Sequence, residues 1–356
     1  MRAIVHVADG PGELRLAVVE DGLLVGAEVH RPGSRDRVGE VHLARAGPAA
    51  TGAAGWFVRL DGADGFLPRG ELPRGRPPVR EGEAVVVRVV RAAMGGKGLR
   101  VSARHAPDAP AGPGGLAAPQ LVSRAPDPID RLAAAHDARI EAGDRFPPAI
   151  EEAFSALVEP TLALPDGGRL CIHPTPAATL IDVDAGTAAP APANRRAAVA
   201  VARQIRARNL SGVILVDFAA LDGPAAKRGM VEAMRAALAA DPLKAEVTGH
   251  SPAGLVELVR RKVRPPLHEI LCDAAPPFHP SALTHGLAAL RRALAEALAR
   301  PSLRPALRAH PAVLAALEQD GSALTAFARR AGAPLRLVPD QALPPGAEQL
   351  EDTAGR

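Results

Sequence analysis

Two aspartates in this chain combine residue type with placement in a way that suits chemistry. Asp217 closes the apolar run Gly212-Val213-Ile214-Leu215-Val216-Asp217-Phe218. A carboxylate there is held at the carboxyl edge of a sheet, where open α/β sheets bind ligands. Alone, it would serve equally well as a turn cap. Asp182 sits within Ile181-Asp182-Val183-Asp184, and strand alternation turns Ile181 and Val183 to one face and Asp182 and Asp184 to the other. If the two strands are neighbours, Asp182 and Asp217 can share a hard cation such as Mg²⁺, which takes oxygen ligands and keeps several waters. A semi-buried pair of this kind is costly without a cation, because like charges repel and raise the pKa.

Arginine gathers beside these carboxylates. Between Thr187 and Val216 there is no acidic residue, while Arg195, Arg196, Arg203, Arg206 and Arg208 are all present. On a helix Arg196 and Arg203 share a face, with Arg195 and Arg206 flanking it. Further on, Arg260, Arg261, Lys262 and Arg264 crowd together. Basic helices beside a dicarboxylate suit a polyanion whose phosphodiester approaches a cation; each cluster taken singly also fits a solvated surface. Upstream lie Trp56, Phe57, Phe66 and, in Gly95-Gly96-Lys97-Gly98, Lys97. Aromatics on a barrel face with a lysine on a glycine turn form a single-strand platform, stacking for bases and charge for phosphates. Trp56 and Phe57 must face opposite ways, so only one can serve it.

Other chemistries find little support. His268 and Cys272 are four apart but no second ligand pair follows, so zinc is not expected. Cys171 and Cys272 allow at most one disulfide. His173, His250, His279 and His285 read as surface or packing residues. Nucleophile-elbow, phosphate-cradling lysine and dinucleotide motifs do not occur.

These residues need elements to hold them. Residues 1–35 read as an antiparallel meander, with turns at Gly10–Gly12 and Asp21-Gly22. Residues 36–104 alternate short strands with glycine turns, which fits a small closed barrel of the OB type. Residues 105–128 are Pro/Gly-rich and read as a linker. Residues 129–164 turn helical, and 165–270 alternate strand and helix. Within the latter a helix runs from about Arg195 to Arg208, and the strand before Asp217 is apolar enough to be buried on both faces. Residues 280–356 form a small helical tail with a short strand at 335–338.

Composition bounds the reading. The 356 residues suffice for two or three domains, and 47% hydrophobic with 23% charged residues excludes a wholly disordered chain. Forty-three basic against 39 acidic residues leave +4, and nearly all the base is arginine, which coding bias also favours. No apolar run approaches the ~18 residues of a membrane helix. The first ten residues hold no signal-like apolar block. A soluble cytoplasmic protein that avoids the membrane is the expectation.

The motifs resemble those of the ribonuclease E/G family. The resemblance runs through Leu180-Ile181-Asp182-Val183-Asp184-Ala185-Gly186, through Ala202 to Phe218, and through Gly254 to Pro265. In the barrel it runs through Phe57-Val58, Gly65-Phe66-Leu67-Pro68 and Gly96-Lys97-Gly98. It implies an α+β multidomain chain. An RNase H-like part (1–35 and 129–164) is interrupted by an OB-type RNA-binding β-barrel (36–104). A DNase I-like α/β catalytic domain (165–270) and a small C-terminal α/β domain (280–356) follow. It also implies Mg²⁺-dependent endonucleolytic cleavage of single-stranded RNA in RNA processing or decay, of rRNA and mRNA alike, leaving 5′-phosphate and 3′-hydroxyl ends.

By the same resemblance, Asp182 and Asp217 are the catalytic metal ligands and Asp184 stands where an orienting asparagine is usual. Phe57, Phe66 and Lys97 match RNA-contacting positions, which selects Phe57 over Trp56. Arg203, Arg206 and Arg260 are expected to meet the RNA backbone. The departures are specific: the linker at 105–128 replaces a domain sensing the RNA 5′ end, and Cys272 alone remains of a zinc-linking cysteine pair, so any homodimer forms without a zinc link. Ala220 replaces an acidic residue and Pro252 an arginine. A catalytically decayed RNA-binding protein is the alternative they favour.

Overall fold

The computed structural model describes residues 3–33, 36–50, 52, 54–107, 118–165, 167–273, 279–300 and 302–352. The chain divides into two compact units, one of Met1–Arg35, Leu132–Arg260 and Pro266–Arg356, the other of Asp36–Arg131 and Arg261–Pro265.

The first unit begins with β1 (Ala3–Gly10), β2 (Glu13–Glu20) and β3 (Leu23–His30), an antiparallel meander as the turn residues predict. The second unit follows with β4 (Val41–Ala49), β5 (Gly55–Leu60), β6 (Ala63–Pro68), β7 (Ala84–Arg91), β8 (Leu99–Ser102) and β9 (Gln120–Ser123). Strands β5-β6-β8-β7-β4 pair in sequence and β4 pairs back onto β5, closing a five-stranded barrel. Val58, Leu60, Leu67, Val87 and Val101 fill its interior. Closure removes the sheet edges that short strands would otherwise expose. β9 adds to β4 from outside the ring. The stretch expected to be only a linker thus supplies a strand at 120–123, while 108–117 lie outside the described residues.

The chain returns to the first unit through α1 (Pro128–His136) and β10 (Arg139–Gly143), which pairs parallel with β1. β10 sits inside a segment that reads as helical, because Arg139-Ile140-Glu141-Ala142-Gly143 is polar enough to hide strand alternation. Then come α2 (Pro148–Ser155), β11 (Thr161–Ala163), β12 (Arg169–Pro174), β13 (Ala178–Asp184), α3 (Pro190–Ala207), β14 (Gly212–Asp217), α4 (Gly223–Leu238), β15 (Glu246–His250) and β16 (Val256–Arg260). The six-stranded sheet runs β11-β12-β13-β14-β16-β15. α3 starts at Pro190, five residues before the expected Arg195, since proline suits a helix's first turn.

One face of this sheet carries the core: Ile172, Ile181, Val183, Ile214, Val216 and Leu258 pack with Val201 and Ile205 of α3 and Met230 and Met234 of α4. The other face keeps Leu180, Val213 and Val259 exposed. β14 is therefore buried on one face only, which corrects the sequence expectation. Its outward residues happen to be aliphatic, so its pattern reads as continuous.

α5 (Leu267–Leu271), α6 (Ala282–Ala299), β17 (Pro305–Ala309), α7 (Pro311–Asp320), α8 (Ser322–Ala331), β18 (Arg336–Pro339) and β19 (Gln349–Asp352) complete the first unit. Within it, Arg15 grips Glu151 through two 2.7 Å bonds and lies 4.8 Å over the Phe146 ring. Arg31 and Arg291 both reach Glu13, tying β2 to the loop after β3 and to α6.

Candidate active site

β13 and β14 are parallel neighbours, and their register pairs Asp182 directly with Asp217. Adjacent strands lie ~4.8 Å apart and register partners share a face, so the two carboxylates stand side by side. Both are exposed on the helix-free face, not semi-buried as the sequence suggests. At about 5 Å in water two such charges repel by only about 0.8 kcal/mol. The pair is therefore tolerated without a cation, and the burial argument for a resident metal falls away.

What favours a cation is the chemistry of the donors. Among the described residues neither carboxylate has a hydrogen bond or an ion pair. Two unneutralised oxygen donors facing solvent fit Mg²⁺, which commonly takes one or two carboxylates and fills its shell with water and phosphate. No group of three or more His, Cys, Asp or Glu is placed to hold a metal among the described residues. Cys171 is the register partner of Asp182 on β12.

Asp184, on the same face, is engaged elsewhere. Its carboxylate accepts from the Gly186 N–H at 2.9 Å and lies 3.3 Å from Arg169. Gly186 has φ +60°, and a Cβ there would meet the Gly167 carbonyl at 2.7 Å, so glycine is required for this turn.

The loop after Asp217 has its own anchor. Asn194 on α3 is buried and donates from Nδ2 to the Ala219 carbonyl at 2.6 Å. Ala220 follows in the left-handed region at φ +42°. Asn194 was missed by sequence reasoning; its only signal is an amide on the apolar face that α3 shares with Ala197, Ala198, Val201 and Ile205. Pro252 is exposed in the turn between β15 and β16.

The three arginines separate. Arg260 is 4% exposed and grips Asp241 through bonds of 2.9 and 3.0 Å, and also donates to Asn209 Oδ1 and the Leu210 carbonyl. Burial works against the Asp241 charge, but the Arg260 guanidinium and the backbone N–H groups of Ala245 and Leu243 hold its carboxyl below the usual range. Arg260 is thus a folding contact, contrary to the expectation that it meets RNA. Arg206 is largely covered and donates to Glu20 at 2.9 Å. Burial opposes the Glu20 charge, yet hydrogen bonds from His136 and Arg206 keep its pKa below the usual carboxylate value. Arg206, too, serves the fold. Arg203 is half-buried and lines a cleft beside α3.

In the barrel, Trp56 is in the core at 8% exposure and Phe57 faces out at 55%. Phe57 and Phe66 are cross-strand partners with ring centroids 5.7 Å apart. Lys97 is exposed in a turn closed by paired backbone bonds with Met94. Gly95 and Gly96 give that turn φ values of +54° and +71°. Arg59 shares the outward side of β5 with Phe57, and Arg100 is the register partner of Phe66. Neither was expected; alternation from Phe57 would have found Arg59.

Cys272 is buried, and desolvation, with Asp273 and Glu159 nearby, pushes its thiol up to about 11.

Fold and site together define an α/β protein with an open carboxylate pair, joined in one chain to a closed five-stranded β-barrel, consistent with the OB type, that displays an aromatic pair. Residues 129–263 match the model of the Ribonuclease E/G family. Ribonuclease G of Escherichia coli (strain K12) is 32% identical over 138 residues, covering 36% of this chain and 28% of that protein. Ribonuclease G of Salmonella typhimurium (strain SL1344) gives the same figures. Ribonuclease E of Nostoc sp. (strain PCC 7120) is 34% identical over 135 residues, 36% of this chain and 20% of that one. The chain thus spans 20–28% of the length of these curated relatives.

Proposed function

We propose that this protein is a Mg²⁺-dependent endoribonuclease that cuts single-stranded RNA to leave 5′-phosphate and 3′-hydroxyl ends, in RNA processing or decay. The observation that supports it most is the register pairing of Asp182 with Asp217, both exposed and without a partner among the described residues. Asp182 and Asp217 would hold the cation. When bound, it would supply charge for a phosphoryl oxygen and acidify a water. Asn194 fixes the loop that follows Asp217, and Arg169 takes up the Asp184 charge, so that the free negative charge is confined to the pair. In the barrel, Phe57 and Phe66 offer ring faces to bases, while Lys97, Arg59 and Arg100 offer charge to phosphates.

A second reading, an RNA-binding protein without cleavage, is favoured by Asp184, whose oxygens are spent on Arg169 and Gly186 and do not orient Asp182. An end-labelled, AU-rich single-stranded RNA incubated with Mg²⁺ or chelator, beside Asp182→Asn and Asp217→Asn, separates the two. Internal cuts that need Mg²⁺ and vanish in both variants support the nuclease. Tight binding without cuts, on 5′-monophosphate and 5′-hydroxyl RNA alike, supports the binder.

A further inference from the structure

On the helix-free face of the six-stranded sheet, the carboxylate pair has aliphatic neighbours. Alternation puts Leu215 and Val213 of β14 on the face of Asp217, and Leu180 of β13 on that of Asp182. The registers set these in successive rows. Asp182 stands beside Asp217, then Leu180 beside Leu215 and Glu257, then Val213 beside Val259 of β16. The first aliphatic row lies about 6.6 Å from the pair, two residues along the strand. Leu180, Val213 and Val259 are 43%, 41% and 45% exposed, so no described element covers this floor.

Glu257 stands at its rim. It is half-buried, and its carboxylate has no hydrogen bond or ion pair among the described residues. Its register partner on β15 is Gly249, which has no side chain to lay over it. A flat apolar surface bordered by one acceptor fits a nucleobase whose edge carries an N–H donor.

Size and charge favour that occupant over a protein. A stable protein interface takes about 800 Å² and roughly 20–30 residues from each partner, far more than four aliphatic side chains. A protein face laid here would also cover Asp182 and Asp217 and strip two charges of water. An RNA strand instead brings a phosphate to the pair through the cation, and its neighbouring base falls on the floor. Glu257 repels phosphate, so it meets the base edge and not the backbone.

We propose that this floor receives the nucleobase next to the phosphodiester that Asp182 and Asp217 address, with Glu257 as the residue that reads its edge. Glu257 accepts from an exocyclic amino group such as cytosine N4 and disfavours uracil, which presents O4 there.

This rests on the proposed reading of RNA as substrate, and a binding measurement tests it apart from cleavage. The probe is a fluorescein-labelled ten-nucleotide oligouridylate in which one uridine is replaced by cytidine at each position in turn, read by anisotropy. Ca²⁺ stands in for Mg²⁺, since it takes the same carboxylate oxygens, and a gel confirms that the RNA stays whole. The expected result is one position at which cytidine tightens binding about tenfold, the size of one hydrogen bond to a charged group. Glu257→Lys should reverse that preference, because a donor now faces N4 and O4. Glu257→Gln, which accepts or donates, should level the two bases if the lysine variant melts early. Leu180→Ser and Val259→Ser strip the floor from two strands, and each should erase the cost of an abasic site at that position.

A cytidine preference that Glu257→Lys reverses supports the base site even if no cleavage occurs, which would overturn the nuclease alone. A flat scan, or a preference that both Glu257 variants keep, overturns it even if Mg²⁺-dependent cleavage is intact. Loss of RNA-over-DNA discrimination in Glu257→Gln without any base preference would place a sugar there and overturn it. So would a dimer that Leu180→Ser dissociates with RNA binding unchanged. No binding of RNA at all would overturn the RNA reading and this one with it.

Discussion

Asn194 on α3 donates its side-chain amide to the carbonyl of Ala219, two residues beyond Asp217. The bond ties a helix of the covered face to the loop that carries the chain away from the carboxylate pair. Asn194→Ala removes it and frees a loop whose next residue, Ala220, holds a left-handed conformation. Stability should fall by about 1 kcal/mol, the usual value of one hydrogen bond. The Mg²⁺ concentration for half-maximal cleavage should rise severalfold, with a smaller change in RNA affinity. A Mg²⁺ titration that matches the natural protein would show that the loop needs no such anchor.

Asp182→Asn and Asp217→Asn should each abolish cleavage without lowering the melting temperature. The two carboxylates are exposed and repel each other, so neutralising one relieves up to about 1 kcal/mol of repulsion. Thermal melts in chelator check this. A drop of several degrees in either variant would mean that the carboxylate holds the fold.

Arg260→Ala should lose about 3–5 kcal/mol, because it strands the buried Asp241 carboxylate. Arg203→Ala should change stability by no more than about 0.5 kcal/mol and act on RNA binding instead. Urea titrations of the two variants make the comparison. Equal stability losses would contradict the division between a folding arginine and a surface one.

Acidification should destabilise the first unit through His268. Burial, with the Arg208 guanidinium nearby, holds its pKa down to about 4, against 6.5 in the open chain. The unfolded chain therefore binds the proton first, and stability present above pH 6.5 is lost as the pH falls towards 4. Between pH 7 and pH 5 the loss should be about 2 kcal/mol. His268→Gln should flatten that part of the curve relative to the natural protein, measured by urea unfolding at each pH.

Phe57→Ala should leave the barrel's stability within about 0.5 kcal/mol, since the ring faces solvent, yet weaken RNA binding by about 1–3 kcal/mol. Lys97→Ala should lower the slope of log affinity against log salt by about one phosphate contact. A Phe57 variant that binds normally would remove the barrel from the RNA path.

The legible parts of this molecule are those where one pattern had one physical meaning. Strict alternation in Ile181-Asp182-Val183-Asp184 gave the correct faces, and the turn glycines marked the meander and the barrel. The choice of Phe57 over Trp56 came from family resemblance; of the two rings Phe57 is the exposed one and Trp56 lies in the core. Pairwise facts were hidden: the register that joins Asp182 to Asp217 belongs to two strands, and no single segment encodes it. The arginines were misread for the same reason. Arg203, Arg206 and Arg260 look alike in sequence, but Glu20 and Asp241, far along the chain, decide which of them is buried. β10 and β9 escaped because a short polar strand is recognisable only by the neighbour it pairs with.

The nesting of the barrel within the first unit has a consequence for synthesis. β1 completes its pairing only when Arg139 to Gly143 have been made, so the meander leaves the ribosome with an open edge that must wait for the whole barrel segment. The barrel waits for nothing comparable, since its core lies within residues 44–103. Its last clasps come late, when Val263 accepts the Ala92 N–H and Arg264 reaches Asp36. Domains form in the order that their contacts become available. The middle of this chain can therefore take shape before its beginning does.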